Sequence, residues 1–135
     1  IYRKYAVTLK ADGERHLLFV YKNVFYLMDI NFKIKEMNIE DKNWNNTLIE
    51  GELVNDDTFL AYDILYENGN DIRRKQFKSV ANKSDNDRTY YLKKFMNSKS
   101  RVIVKDSIKL ELKKYLYSTK GDGSDIFENA KIFNF

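Results

Sequence analysis

The spacing of apolar and polar positions divides this chain into two parts with different periods. Up to about residue 71 the apolar residues come in short runs separated by turn residues. Residues 5–9 are short and rich in β-formers. An almost continuous apolar run at 16–21 is followed by Lys22-Asn23 and a second run at 24–28, which predicts a hairpin with a two-residue tip. Residues 32–36 alternate apolar and charged side chains, as a half-buried strand does. Two further strands are predicted at 48–54 and 59–65, joined by Asn55-Asp56-Asp57, and Glu67-Asn68-Gly69-Asn70 supplies a closing turn.

The period changes in the second part. Ser84 with Asp87 three residues on resembles a capping box. Tyr91, Leu92, Phe95 and Met96 then form a helical stripe, predicting an amphipathic helix over 85–98. Asp85 and Asp87 stand at its positive end, with Lys93, Lys94 and Lys99 toward its negative end. Residues 101–105 read as a strand, residues 107–116 as a helix, and Lys120-Gly121-Asp122-Gly123 as a turn. Strands followed by helices predict an α+β fold, antiparallel β-sheets flanked by helices. With no repeat and no low-complexity linker, the expectation is one domain over 1–135.

Composition narrows the possibilities. A length of 135 residues suits one modest core, and 43% hydrophobic residues argue against disorder. Cysteine is absent, which excludes disulfides and thiolate metal sites and fits a reducing, intracellular compartment. No run of about 18 apolar residues is present, so no membrane partner is expected. The chain opens on Ile1, from which an excised piece of a longer protein is expected. The lack of proline and the wealth of Lys, Asn, Ile and Tyr suggest an AT-rich genome. The net charge of +4 conceals strong segregation. Residues 36–71 carry 1 basic and 10 acidic side chains, whereas 72–120 carry 15 basic and 4 acidic. The basic block suits a polyanion, with solvated helix faces as the plainer alternative.

Three stretches carry candidate chemistry. In TLKADGERHLLF, Lys10 is followed by Asp12, Gly13, Glu14 and Arg15. A lysine attacks phosphorus or carbonyl carbon once its amine is deprotonated, and a nearby cation such as Arg15 favours that state. Gly13 permits a close backbone approach or a positive φ. Taken alone, such a stretch is a solvated hairpin tip. TLIEGELV, however, places Glu50 and Glu52 on one face of a strand, which is costly unless they are solvated, paired or ligating. TFLAYDIL then sets Asp63 behind Tyr62 in an apolar strand, either as a satisfied structural acid or beside an aromatic that stacks on a base. His16, the sole histidine, has no ligand cluster around it and reads as structural. Trp44 reads as a packing anchor in a polar loop. Lys120-Gly121-Asp122-Gly123-Ser124 lacks the spacing of a phosphate-binding P-loop.

In this order the three stretches resemble the covalent nucleotidyltransferases, the superfamily of DNA ligases, RNA ligases and mRNA capping guanylyltransferases. Lys10-Ala11-Asp12-Gly13-Glu14-Arg15 fits K-x-D-G-x-R, Thr47 to Val54 looks like the following motif, and Phe59 to Leu65 looks like the aromatic-Asp strand. The wording of the second and third is closer to capping enzymes, with the flavour of a large DNA virus or an AT-rich eukaryote. The resemblance implies GTP as substrate, a lysyl-GMP intermediate on Lys10, and transfer of GMP to a 5′-diphosphate RNA. It implies Mg2+ (or Mn2+) as cofactor, other capping domains as partners, and a location in host cytoplasm, virion or nucleus. Arg15 and Glu52 match positions that contact the ribose, Tyr62 the aromatic that stacks on the purine, and Asp12 an acid beside the nucleophile. Lys105 matches, more loosely, a lysine that reads the guanine oxygen. Glu50 stands where the family more often has Asp. No E-G-[ILV]-[ILV] motif follows residue 100, and there is no terminal K-x-K strand. The expectation is therefore a partial domain without its last motifs, its metal and phosphate ligands, or its oligonucleotide-binding domain. An ATP-dependent ligase and a non-catalytic module that binds nucleotide or RNA through residues 72–120 are the alternatives.

Overall fold

The computed structural model describes residues 6–8, 10, 12–78 and 86–117. Among them are β1 (Ala6–Val7), β2 (Gly13–Tyr21), β3 (Val24–Met28), β4 (Ile34–Glu40), β5 (Thr47–Val54), β6 (Thr58–Glu67), β7 (Asn70–Asp71), α1 (Arg88–Met96), β8 (Val102–Ile103), β9 (Lys109–Leu112) and β10 (Leu116–Tyr117). The chain forms two compact units, Asp12–Leu112 and Ile1–Ala11 with Lys113–Phe135. In the smaller unit β1 pairs antiparallel with β10, and the Thr8 hydroxyl donates to the Lys114 carbonyl.

The larger unit is built on a sheet of order β7-β6-β5-β2-β3-β4-β8, with β9 added parallel to β6. Three of its hairpin tips follow from local chemistry. Lys22 and Asn23 have φ of 48° and 71°, Asn55 and Asp56 of 53° and 58°, and Asn68 and Gly69 of 48° and 86°. A pair of positive φ values at the tip is the turn whose twist matches the flanking strands. The predicted strands at 48–54 and 59–65 are present and slightly longer.

Alternation then sorts the side chains. His16, Leu18 and Val20 of β2, Phe25 and Leu27 of β3, Ile49 of β5, and Phe59, Ala61 and Ile64 of β6 are buried on one face. Helix α1 covers that face with Leu92 and Phe95, while Tyr91 and Met96 pack at the margin, the stripe the sequence predicts. The Phe95 ring stacks on Phe25 at 5.7 Å and meets Trp44 edge-on at 5.1 Å, which makes Trp44 the anchor expected of it. Gly51 lies where strands β5 and β6 close tightly: a Cβ there would stand 2.4 Å from the Leu60 carbonyl oxygen and 2.5 Å from the Phe59 ring.

Several boundaries differ from expectation. The helix begins at Arg88, because the Asp87 side chain itself caps it by accepting the Tyr90 N–H at 2.7 Å; Ser84 and Asp85 lie outside the described residues. Residues 107–116 are not a helix. Ile108, Leu110 and Leu112 turn inward while Lys109 and Glu111 stay exposed, a period of two that lets β9 complete the edge of β6. β4 starts at Ile34, since Phe32 sits in a turn at φ 64°, with Asp29 accepting from the Asn31 and Lys33 N–H groups. The strand read at 101–105 shrinks to β8, and the 120–124 turn lies outside the described residues. The architecture is thus sheet-rich and mostly antiparallel, with one helix among the described residues. None of the described helical residues forms a span long and apolar enough to cross a membrane.

Candidate functional site

Because β2 buries His16, Leu18 and Val20, its intervening residues Arg15, Leu17 and Phe19 project from the opposite face. Register sets Arg15 against Glu52 and Leu17 against Glu50, so both glutamates share that face, as their spacing predicts. Arg15 nevertheless reaches past its register partner. Its Nε lies 3.0 Å from Glu50 Oε1, and the Tyr62 hydroxyl donates to the same oxygen at 2.8 Å. Three strands, one from each candidate motif, therefore meet at a single carboxylate oxygen.

A β-bulge makes this meeting possible. The β5–β6 register pairs Gly51 with Ala61 and then Glu50 with Asp63, so Tyr62 is an extra residue opposite Glu50. Tyr62 turns to Glu50, while Asp63 accepts from Arg88 Nε at 2.9 Å and from the Ile64 N–H at 2.8 Å. Asp63 is thus satisfied structurally, one of its two readings from sequence. Burial still raises its carboxyl above the usual carboxylate range, with Arg88 opposing. Burial, reinforced by the accepting Glu50 carboxylate, pushes the Tyr62 phenol well above an ordinary tyrosine.

The arrangement is open on one side. The Arg15 side chain is 60% exposed and that of Glu50 only 20%, so Glu50 is the anchor and the guanidinium keeps an outward edge. Phe19 and Tyr26 stack at 5.2 Å on the same face. Beside Arg15 lies a cleft of about 220 Å³ whose lining includes Leu17, Met28, Asp29, Ile30 and Phe32.

The other predicted residues are placed as follows. Asp12 is exposed at the bend before β2. Gly13 belongs to the strand, not to a turn tip. A Cβ there would meet the Leu53 carbonyl at 2.8 Å, so close strand approach, not positive φ, is what requires glycine. Lys10 is exposed and belongs to the smaller unit. Lys105 is exposed in the link between β8 and β9, four residues before Lys109, which pairs with Thr58 of β6. His16 is buried, with Nδ1 2.9 Å from the Glu14 carbonyl, a structural role. Arg88 is a residue that sequence reasoning missed; 25 positions separate it from Asp63, and no local pattern marks the pair. Among the described residues no three carboxylates or histidines converge as a cation site, so these residues by themselves form no cage for magnesium.

Over 75 residues this chain is 41% identical to a protein of Acanthamoeba polyphaga mimivirus named "Probable mRNA-capping enzyme". The chain resembles a capping enzyme of a large DNA virus. The likeness covers 52% of this chain and 6% of the viral protein, so the chain spans only a small part of that relative. No family model matches the chain. The relative's name agrees with the capping flavour of TLIEGELV and FLAYDIL, not with a ligase.

Proposed function

We propose that this chain belongs to the nucleotide-binding part of an mRNA guanylyltransferase. The observation that carries the reading is the convergence of Arg15 and Tyr62, from the first and third motifs, on Glu50 from the second. In this reading Lys10 Nζ, once deprotonated, attacks the α-phosphorus of GTP. A P–N bond forms, the bond to the β-phosphate oxygen breaks, and pyrophosphate leaves. A terminal phosphate oxygen of 5′-diphosphate RNA then attacks the same phosphorus, and the P–N bond breaks to return the amine. Arg15 and Glu52 hold the ribose, the Tyr62 ring stacks on the purine, and Asp12 is the acid of the nucleophile's motif. Tying the Tyr62 hydroxyl to Glu50 holds the ring in one orientation before ligand arrives, which lowers the entropy cost of stacking. Lys105, the looser match, reads the guanine oxygen. Magnesium enters as the counter-ion of the triphosphate.

Incubation of the intact protein with labelled GTP and magnesium should give an acid-labile protein–GMP adduct that Lys10→Ala abolishes. An adduct that persists in Lys10→Ala refutes the nucleophile, and preferential labelling by ATP replaces the reading with a ligase.

A further inference from the structure

Beyond the β6 edge of the sheet, the segment 73–77 is fastened to the start of α1 through its carbonyl groups. The Arg88 N–H donates to the Gln76 carbonyl at 2.9 Å and the Thr89 N–H to the Phe77 carbonyl at 3.0 Å. The Arg88 guanidinium adds bonds to the Arg73 and Lys75 carbonyls, both at 3.0 Å, and the Thr89 hydroxyl donates to Phe77. With its carbonyls turned inward, the segment leaves Arg74 and Lys75 exposed. Lys75 Nζ stands 5.8 Å from the Tyr91 ring centre, and Tyr91 meets Tyr90 edge-on at 5.2 Å. Leu92 and Phe95 point into the core, so Tyr90, Lys93, Lys94 and Asn97 form the outer side of the helix. Lys94 lies one turn beyond Tyr90 and so shares its side.

Among the described residues this strip is basic without compensation. Of the described acids nearby, Asp87 caps α1, and Asp71 holds Arg73 in a two-bonded pair at 2.9 and 2.8 Å. Among the described residues Arg74, Lys75, Lys93, Lys94 and Lys99 have no carboxylate within 4.0 Å. The helix dipole accounts for Lys93 and Lys94 in the last turn but disfavours Arg74 and Lys75 beside the first. Nor does it account for a tyrosine 46% exposed between the two cationic ends. Spaced cations around an exposed aromatic ring are the pattern that single strands occupy, phosphates on the cations and a base on the ring. An acidic peptide would use the charges but not the ring.

We infer that this strip of α1 and residues 73–75 binds a single-stranded nucleic acid. Such binding does not depend on guanylyl transfer.

The test is fluorescence anisotropy of the purified chain with labelled ten-residue U RNA and T DNA, competed by a ten-residue poly-Glu peptide. Wild type should bind the strands with strong salt dependence, and relative affinity for RNA and DNA identifies which source it takes. Lys93→Ala/Lys94→Ala should weaken binding about tenfold and lower the log–log salt slope by about 1.4, the release expected when two phosphates of a single strand go unneutralised. Arg74→Ala/Lys75→Ala should do the same. Tyr90→Ala should cost at least about fivefold, with Tyr90→Phe restoring it. Thermal melts of all variants separate loss of binding from loss of fold. Unchanged affinity in the folded lysine or Tyr90 variants overturns the inference, as does poly-Glu competing as well as RNA or DNA.

Discussion

Arg15 is set against Glu52 by strand register, yet it binds Glu50, the residue two positions earlier on the same face. Diagonal neighbours on a sheet are within reach of a long side chain, and here the choice gathers Tyr62 as well. Glu50→Ala should therefore release both partners at once. Adduct formation with GTP is expected to fall at least tenfold, while stability drops by only about 1–2 kcal/mol because the Arg15 end is largely solvated. Parallel labelling and urea unfolding check this; a loss of stability with unchanged labelling would make Glu50 purely structural.

The Tyr62 phenol ionises above an ordinary tyrosine, whose value is about 10. Above that pH the folded chain keeps a proton that the unfolded chain has lost, so this group's contribution is complete below pH 10 and declines as pH rises further. The stability advantage of wild type over Tyr62→Phe should therefore shrink above pH 10. Melting curves of both proteins between pH 8 and 11 would show it, and ultraviolet titration should lose one late-ionising tyrosine in the variant.

Gly51→Ala inserts a methyl group against the Leu60 carbonyl and the Phe59 ring at 2.4–2.5 Å. Neither backbone nor a fully buried ring yields easily, so a loss of about 1–3 kcal/mol or more is expected. A lower denaturant midpoint with unchanged slope is the expected reading.

Asp41, wholly buried, accepts from Ser100 at 3.0 Å and from the Asn43 N–H at 2.9 Å, with Arg101 Nε at 3.6 Å. The Arg101 guanidinium lies 4.0 Å from the Phe95 ring centre, and burial lowers its pKa to about 10 although Asp41 opposes the shift. Asp41→Ala strands this cation in the interior and should cost about 3–5 kcal/mol. Chemical denaturation should show that Asp41→Ala/Arg101→Met recovers part of the loss.

What could be read from the sequence was what depends on near neighbours. The tips Lys22-Asn23 and Asn68-Gly69 declare themselves because adjacent residues decide a turn. The shared face of Glu50 and Glu52 follows from the two-residue repeat of a strand, and the inner stripe of α1 from the helical repeat. Residues 107–116 resisted, since Ile108, Leu112, Tyr115 and Leu116 suit a helix and Ile108, Leu110 and Leu112 suit a strand equally well. The open edge of β6 decided between them by offering backbone hydrogen bonds.

The sequence by itself determined that Lys10, Arg15, Glu50, Glu52 and Tyr62 stand on successive strand-like motifs and that the basic residues gather after residue 72. Only the tertiary structure decided that Arg15 takes Glu50 over Glu52, that a bulge parts Tyr62 from Asp63, and that Arg88 binds the 73–77 segment to a helix. Each of these is a contact between residues far apart in the chain. Its partner is chosen by which strands lie side by side and which groups would otherwise be buried without a bond, and no local pattern of side chains encodes that choice.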